Sequence, residues 1–476
     1  MPAARPSPLH RQPSWSLVAL VLTAAALLLR VPDLGNPIID LDEQMYQLVG
    51  LRIWQGAVPY VDVWDRKPIG LFLLYAATQG FGGDGVVAYQ AAALLAALLT
   101  AGVIAMLAAR LASRRAGLIG GCGYLVWLAL LGGRGGQSPV FYDLFVAIAG
   151  WLVLRSAYDG RVWRVRLAML LIGLAIQIKP TVIVEGFALA GVALYAMWRG
   201  KRASGRLVKE AAILGALAGL PSLLAFAVYA GMGHGADWWF ANVRSIFLRH
   251  VTANEPVATR VEGLALVLVV PAIVALFGLR RLQGAARMFL AAWLVAAVVA
   301  LAAIAPYYNH YALPLLVPLM VAAGIGADGR GPLAILLAAA AAGLLYLSGY
   351  PHVGETAAAR RAVAHGAALI RHYARGRGCP FIFQAPPVFY TASGACLPTR
   401  YPFASHLTFA GERGAIGVDP TTEVARILRG RPPVIVTTTP HGDVNRATFA
   451  LVGHALATHY RRVGRALGYD IYALPR

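Results

Sequence analysis

The chain has 476 residues, 59% of them hydrophobic and only 13% charged. Soluble domains carry roughly a quarter charged residues, so this composition excludes one and points to a polytopic membrane protein. The formal charge of +21 does not mark a nucleic-acid binder, because the basic residues lie between apolar runs rather than in one polar block.

In chain order the apolar runs fall at 15–30, 84–109, 116–132, 139–157, 166–178, 180–198, 208–230, 262–279, 288–305, 310–327 and 331–349. A membrane-spanning helix takes about 20 residues. Run 15–30 lacks a small-residue cleavage site after it and reads as a retained span, not a signal peptide. Run 68–80 is too short and Gly-flanked to cross alone. Run 166–178 is also short, and Pro180 breaks the helix behind it. Such a break at membrane depth is tolerated only inside protein or beside a wet cavity.

The short loops set the orientation. Arg5, Arg11, the segments ending at Arg115, Arg166 and Arg206, and "LRRLQGAAR" are all basic, which places them on the cytoplasmic side. Segments 31–67, 133–138, Lys179–Pro180, 231–260 and 305–309 then face outward. The expectation is eleven crossings, a cytoplasmic N-terminus and an extracytoplasmic tail. The division is a membrane part over 1–349 and a small α/β tail domain over 350–476. In the tail, "PFIFQA" and "PPVIVTTT" read as strands. Cys379 and Cys396 can pair there if the compartment is oxidising.

The outer loop 31–67 carries the chemistry. Acids are scarce, 21 in all, yet Asp40, Asp42 and Glu43 cluster in "IIDLDEQMYQLVG". Asp40 with Glu43 fits a helix N-cap, but capping does not need Asp42 as well. "PYVDVWDRKPIG" adds Asp62, Asp65, Arg66 and Lys67. Carboxylates can deprotonate a hydroxyl nucleophile or stabilise a cationic sugar transition state, and cations can hold a phosphate leaving group. Splitting a sugar from a lipid phosphate needs both.

Only four lysines occur: Lys67, Lys179, Lys201 and Lys209. Lys67 and Lys179 each precede a proline and face outward; an ammonium is a compact charge suited to phosphate. Asp143 borders a span, where an acid is costly unless it faces a cavity or partner. His310 sits at the outer mouth of a span in "YYNHYALP", beside aromatic-belt candidates Tyr307, Tyr308 and Tyr311.

The stretch "DEQMYQLVGLRIWQGAVPYVDVWDRKPIGLFLLYA" resembles the first outer loop of the GT-C glycosyltransferases. The similar branch includes protein O-mannosyltransferases and the aminoarabinose transferases of lipid A. Asp42, Glu43, Tyr46, Arg52, Gly56, Pro59, Tyr60, Lys67 and Pro68 fill the family's places, and Asp62 fits its Pro-Tyr-x-Asp variant. "GQSPVFYDLFVAIAG", "QIKPTVIVEG", "PYYNHYALPLLVPL" and "TRYPFASHL" extend the resemblance over most of the chain. It departs from the lipid A-modifying members at Arg66, where some of them have an acid, and at Ile69, where they have a second proline.

The resemblance implies a GT-C fold and an inverting transfer of a sugar from a polyprenyl-phosphate donor to an acceptor hydroxyl at the outer face of a bacterial inner membrane. It implies catalytic roles for Asp42, Glu43 and Asp143, with Asp42 addressing the acceptor hydroxyl and Glu43 supporting the loop. Lys67, Arg66, Lys179 and His310 would bind the donor phosphate. Tyr46, Arg52, Tyr60, Asp62 and Asp65 would line the substrate site. No cofactor follows with certainty; a divalent cation (Mg or Mn) is compatible. The acceptor is a lipid, a glycan or a protein, the solvent is membrane lipid, and no nucleic acid is involved. Two alternatives stay open. A glycan polymerase or ligase using lipid-pyrophosphate donors would use Arg244, Arg249, His250 and Arg260 of the loop 231–260. A flippase would need ionisable residues deep in several helices, and Glu185 is the one such residue far from a span's end.

Overall fold

The computed structural model describes residues 12–200, 203–252 and 255–475. Arg5, Arg11 and Lys201 lie outside the described residues. The membrane part is helical: α1 Trp15–Arg30, α2 Leu41–Trp54, α3 Ile69–Gln79, α4 Gly85–Leu111, α5 Arg114–Leu130, α6 Ser138–Asp159, α7 Val162–Ile176, α8 Ile183–Arg199 and α9 Ser204–Gly231. It continues through α10 Gly235–Trp239, α11 Ser245–Leu248, α12 Val257–Arg281, α13 Gly284–Ala302, α14 Leu316–Ala327 and α15 Gly331–Leu347. Among the described residues seven helices (α1, α4, α6, α8, α9, α12 and α13) are long and apolar enough to cross a bilayer, and α3, α14 and α15 are shorter apolar helices. The protein is therefore a polytopic α-helical membrane protein.

Local sequence sets where these helices start. Asp40 accepts from the Asp42 amide to cap α2, Asp84 caps α4, and Ser113 caps α5. The expected break after run 166–178 is present: α7 ends at Ile176, and a 3₁₀ turn at Pro180–Val182 leads into α8. The centre of the bundle is α14, in which every residue is buried. It lies almost backbone to backbone against α5 and α12. A Cβ on Gly324 would overlap the carbonyl of Ala116, and one on Gly326 would overlap that of Val274. Without a hydrophobic force between spans, such close approach supplies packing that larger residues would block.

The tail holds α16 Glu355–Ala374, α17 Val388–Ser393, α18 Ala404–Thr408, α19 Pro420–Arg429 and α20 Arg446–His459. They surround a four-stranded sheet of β1 Phe381–Ile382, β2 Val434–Thr437, β3 Arg461–Ala466 and β4 Tyr469–Ala473, in the order β1-β2-β4-β3. The two expected strands are β1 and β2, which pair in parallel. The β3–β4 hairpin is an addition that sequence patterning did not predict, because "RRVGRA" lacks apolar alternation. Its turn has positive φ at both Leu467 and Gly468, the backbone demanded by a tight two-residue hairpin. Cys379 and Cys396 form a disulfide. The tail docks directly on segment 40–67: the Trp64 amide donates to the Arg400 carbonyl at 2.6 Å, and Val388 N donates to the Gln44 side chain at 3.2 Å.

Candidate active site

The site begins at the N-terminus of α2. With Asp40 spent on the cap, Asp42 turns its carboxylate toward other elements. One oxygen accepts from Tyr46, one turn along, at 3.2 Å, and from the amide of Gln137 at 3.5 Å. The Lys67 ammonium lies 3.8 Å from the same oxygen and 5.7 Å from the centre of the Tyr46 ring. The Lys67 backbone is held by the Tyr60 hydroxyl, which donates to its carbonyl at 2.9 Å. Tyr60 itself has φ of +71°, a strained conformation that its burial against Tyr229 and Phe72 maintains.

Lys179 reaches the same place from the break between α7 and α8. What brings the two lysine-proline turns together is Gly70. The Leu71 amide donates to the Gln177 carbonyl at 3.1 Å, and a Cβ on Gly70 would sit 2.6 Å from the Gln177 Cβ. The start of α3 and the end of α7 can thus touch only because residue 70 has no side chain. The Lys179 side chain lies over the Tyr311 ring at 4.4 Å, and His310 packs against both Tyr308 and Tyr311. Asp42 interacts electrostatically with Lys67, His310 and Lys179. One carboxylate, two lysine amines and an imidazole therefore converge, from four separate segments of chain.

Electrostatics separate the three neighbouring acids. Burial alone would raise Asp42, but Lys67, then His310 and Lys179, hold it down to about 2, so it is ionised at neutral pH. Burial and then the Asp42 charge push Asp40 up to about 7. Burial pushes Glu43 up to about 8, with Asp40 adding to the effect. Glu43 is fully buried against the 133–136 segment, where a Cβ on Gly135 would overlap its carboxyl. That segment is fixed by Arg30, whose guanidinium donates to the carbonyls of Gly133 and Gly135. Lys67 is raised: burial works against its charge, but Asp42 and Asp65 more than compensate.

The other expected site residues lie elsewhere or engage other partners. Asp143 is fully buried on α6, accepts from the Tyr124 hydroxyl at 3.2 Å, and shares electrostatic contact with Lys179 and Glu185. Asp62 is exposed and caps its own turn by accepting from the Val58 amide at 2.7 Å. Asp65 is buried and accepts from the Arg66 amide. Arg66 grips Glu412 of the tail with both terminal nitrogens, one at 2.8 Å. Arg52 likewise donates to a tail carbonyl, that of Ala395. Of the basic residues in 231–260, Arg249 pairs with Glu412 at 3.2 Å and Arg260 with Glu255 at 2.7 Å.

Sequence reasoning missed Gln137, Arg30 and Glu412. Gln137 directly follows the Gly-rich "GGRGG", and Arg30 directly ends the first apolar run, so both carried a local signal. Glu412 carried none. Among the described residues, no group of three or more His, Cys, Asp or Glu side chains is arranged to hold a metal ion.

Residues 65–229 match the family model of dolichyl-phosphate-mannose-protein mannosyltransferase, a segment that includes Lys67, Gln137, Asp143 and Lys179. The fold matches that of ArnT from Cupriavidus metallidurans. Against its apo structure the TM-score is 0.69 at 15% identity, covering 96% of this chain and 98% of that one. Over residues 65–229 the chain is similar to a glycosyltransferase family, and over nearly its whole length it shares the fold of ArnT. The ArnT structure bound to undecaprenyl phosphate is similar at a TM-score of 0.66 and 14% identity, covering 96% of both chains. The archaeal oligosaccharyltransferase AglB from Archaeoglobus fulgidus, in complex with an inhibitory peptide and a dolichol-phosphate, is similar at a TM-score of 0.55 and 12% identity, covering 97% of this chain and 75% of that one. Comparison with curated protein sequences finds no match. At this distance the likeness to solved structures describes fold, and the chemistry of this chain has to be argued from its own residues.

Proposed function

We propose that this enzyme moves a sugar from a polyprenyl-phosphate donor to an acceptor hydroxyl at the outer membrane face, inverting the anomeric carbon. The observation that carries the reading is the convergence on Asp42 of two ammonium groups, with Lys67 at 3.8 Å. Such a donor is a phosphodiester with one negative charge, and the leaving polyprenyl phosphate is a monoester that develops a second. Cations fixed at that phosphate stabilise the transition state more than the ground state. In the reaction the bond from the anomeric carbon to the phosphate oxygen breaks, and a bond to the acceptor oxygen forms from the opposite face. The acceptor proton passes to the Asp42 carboxylate, which already accepts hydrogen bonds from Tyr46 and Gln137. Lys179 and Lys67 bind the phosphate, His310 and Tyr311 wall the Lys179 side, and Asp143, hydrogen-bonded to Tyr124, faces Lys179 from the buried side.

The same reading sets the topology at eleven crossings in a GT-C arrangement, with the basic loops inside and residues 350–476 outside as a separate domain. The disulfide between Cys379 and Cys396 supports an oxidising location for that tail. The ArnT structure that binds undecaprenyl phosphate supports the choice of lipid carrier. The test is mass analysis of cell-envelope glycans, lipids and secreted proteins from a deletion strain beside its parent. The expected result is loss of one sugar from one acceptor class, restored by the intact gene. An unchanged envelope together with accumulation of a lipid-pyrophosphate oligosaccharide would favour a polymerase instead.

A further inference from the structure

A buried carboxylate in the tail touches the supports of both phosphate-binding lysines. Glu412 closes the short 3₁₀ turn Ala410–Glu412 and is 2% exposed. Its two oxygens receive the two terminal nitrogens of Arg66, and Arg249 adds its Nε at 3.2 Å. Each arm leads to one lysine. Arg66 immediately precedes Lys67, so the grip on its side chain fixes the backbone from which the Lys67 ammonium reaches Asp42. Arg249 interacts with the Tyr311 hydroxyl, and the Tyr311 ring lies beneath the Lys179 ammonium at 4.4 Å.

The surroundings make this junction rigid. Trp64 packs against His406 and Tyr401 of the tail and against Phe240 of the 231–260 loop. The His250 amide donates to the Gly411 carbonyl at 3.1 Å, and residue 411 must be glycine there, because a Cβ would overlap the His250 carbonyl. A bidentate carboxylate–guanidinium pair removed from water holds its geometry far better than an exposed pair.

We infer that Glu412 is a positioning residue of the transfer site: through Arg66 and Arg249, the tail sets where both ammonium groups stand for the donor phosphate. The inference rests on the donor-phosphate reading above. It makes the tail part of the donor site and gives Arg66 a mechanical role in place of direct phosphate contact.

The experiment measures binding of polyprenyl phosphate to the full-length protein in nanodiscs, and separately the KM for donor and acceptor once the sugar is known. The variants are Glu412→Gln, Glu412→Asp, Arg66→Gln, the double variant Arg66→Gln with Glu412→Gln, and Lys67→Met. Glu423→Gln serves as the tail control, since Glu423 pairs only within the tail, with Arg426 and Thr399. Glu412→Gln should weaken polyprenyl phosphate binding roughly tenfold or more while acceptor KM stays within about twofold. Glu412→Asp should fall between, and the double variant should be no worse than Glu412→Gln alone, since the two groups act as one arm. Glu423→Gln should bind normally. If Glu412→Gln binds as wild type while Lys67→Met binds weakly, the inference fails and the donor reading stands. If neither wild type nor any variant binds polyprenyl phosphate, both fail. Should Glu412→Gln not fold, Glu412→Asp and Arg66→Gln carry the same test, and normal binding by both overturns the inference.

Discussion

Lys67→Met tests the electrostatics of the donor site with the least steric change. The ammonium stands 3.8 Å from the Asp42 carboxylate, and its side chain is 25% exposed. A phosphate charge held about 4 Å from that ammonium would be attracted by about 4 kcal/mol at an effective dielectric near 20. The remaining solvent exposure trims this to about 2 to 3 kcal/mol. The substitution also leaves Asp42 facing the incoming phosphate without its nearest counter-charge, so both consequences weaken binding. Affinity for polyprenyl phosphate should therefore fall by roughly 30- to 150-fold. Lys67→Arg should recover only part of it, because a planar guanidinium does not replace a compact ammonium. The assay is a titration of polyprenyl phosphate into protein held in nanodiscs, read by native mass spectrometry at constant ionic strength. Affinity within about threefold of wild type for Lys67→Met would refute the reasoning, because no plausible dielectric makes so close a cation irrelevant to a phosphate bound beside it.

Three further outcomes follow from the same geometry. Asp42→Asn should cut turnover by roughly 100-fold or more, the usual contribution of a positioned proton acceptor. Its affinity for polyprenyl phosphate should hold or rise, since a negative charge has left the site; parallel loss of binding and turnover would contradict the role. Gly70→Ala places a Cβ 2.6 Å from the Gln177 Cβ and 2.8 Å from its carbonyl oxygen, which should cost about 1 to 3 kcal/mol of stability. Because the strain separates the turns carrying Lys67 and Lys179, the donor KM should rise as well, as thermal unfolding and donor titration together would show. Glu43 is pushed from 4.5 up to about 8 by burial, so the native state holds a proton that the unfolded chain releases. That contribution is full below about pH 4.5 and is lost as pH rises through about 8. Glu43→Gln should therefore flatten the fall in melting temperature between pH 5 and 8; an unchanged slope would count against a protonated Glu43.

Much of the membrane part was legible because hydropathy alone reports apolar helices, and the break at Lys179–Pro180 was legible because proline cannot continue a helix. Boundaries at the ends of the runs were less so. The run 310–327 contains a 3₁₀ turn at Asn309–Ala312 before α14 begins at Leu316, since Pro314 delays the helix. Within the site, Asp42, Lys67, Lys179 and His310 are brought together, and each carried a chemical oddity: an acid beyond the cap, a lysine in an arginine-rich chain, a histidine at a span's mouth. Arg66 looked identical to a phosphate ligand because a basic residue beside Lys67 announces charge but not direction. What turns it away is Glu412, 346 residues on, and no local pattern encodes a partner at that separation. The β3–β4 hairpin was hidden for a different reason: its first strand, "RRVGRA", is largely polar, and only the Leu467–Gly468 turn marks it.

A structure of the full-length protein with polyprenyl phosphate bound would examine the shared pocket itself. The phosphate should lie within hydrogen-bonding reach of the amines of residues 67 and 179, with the carboxylate of residue 42 on the side open to an acceptor. A headgroup seated instead against the 231–260 loop, with those two amines left in solvent, would contradict the account.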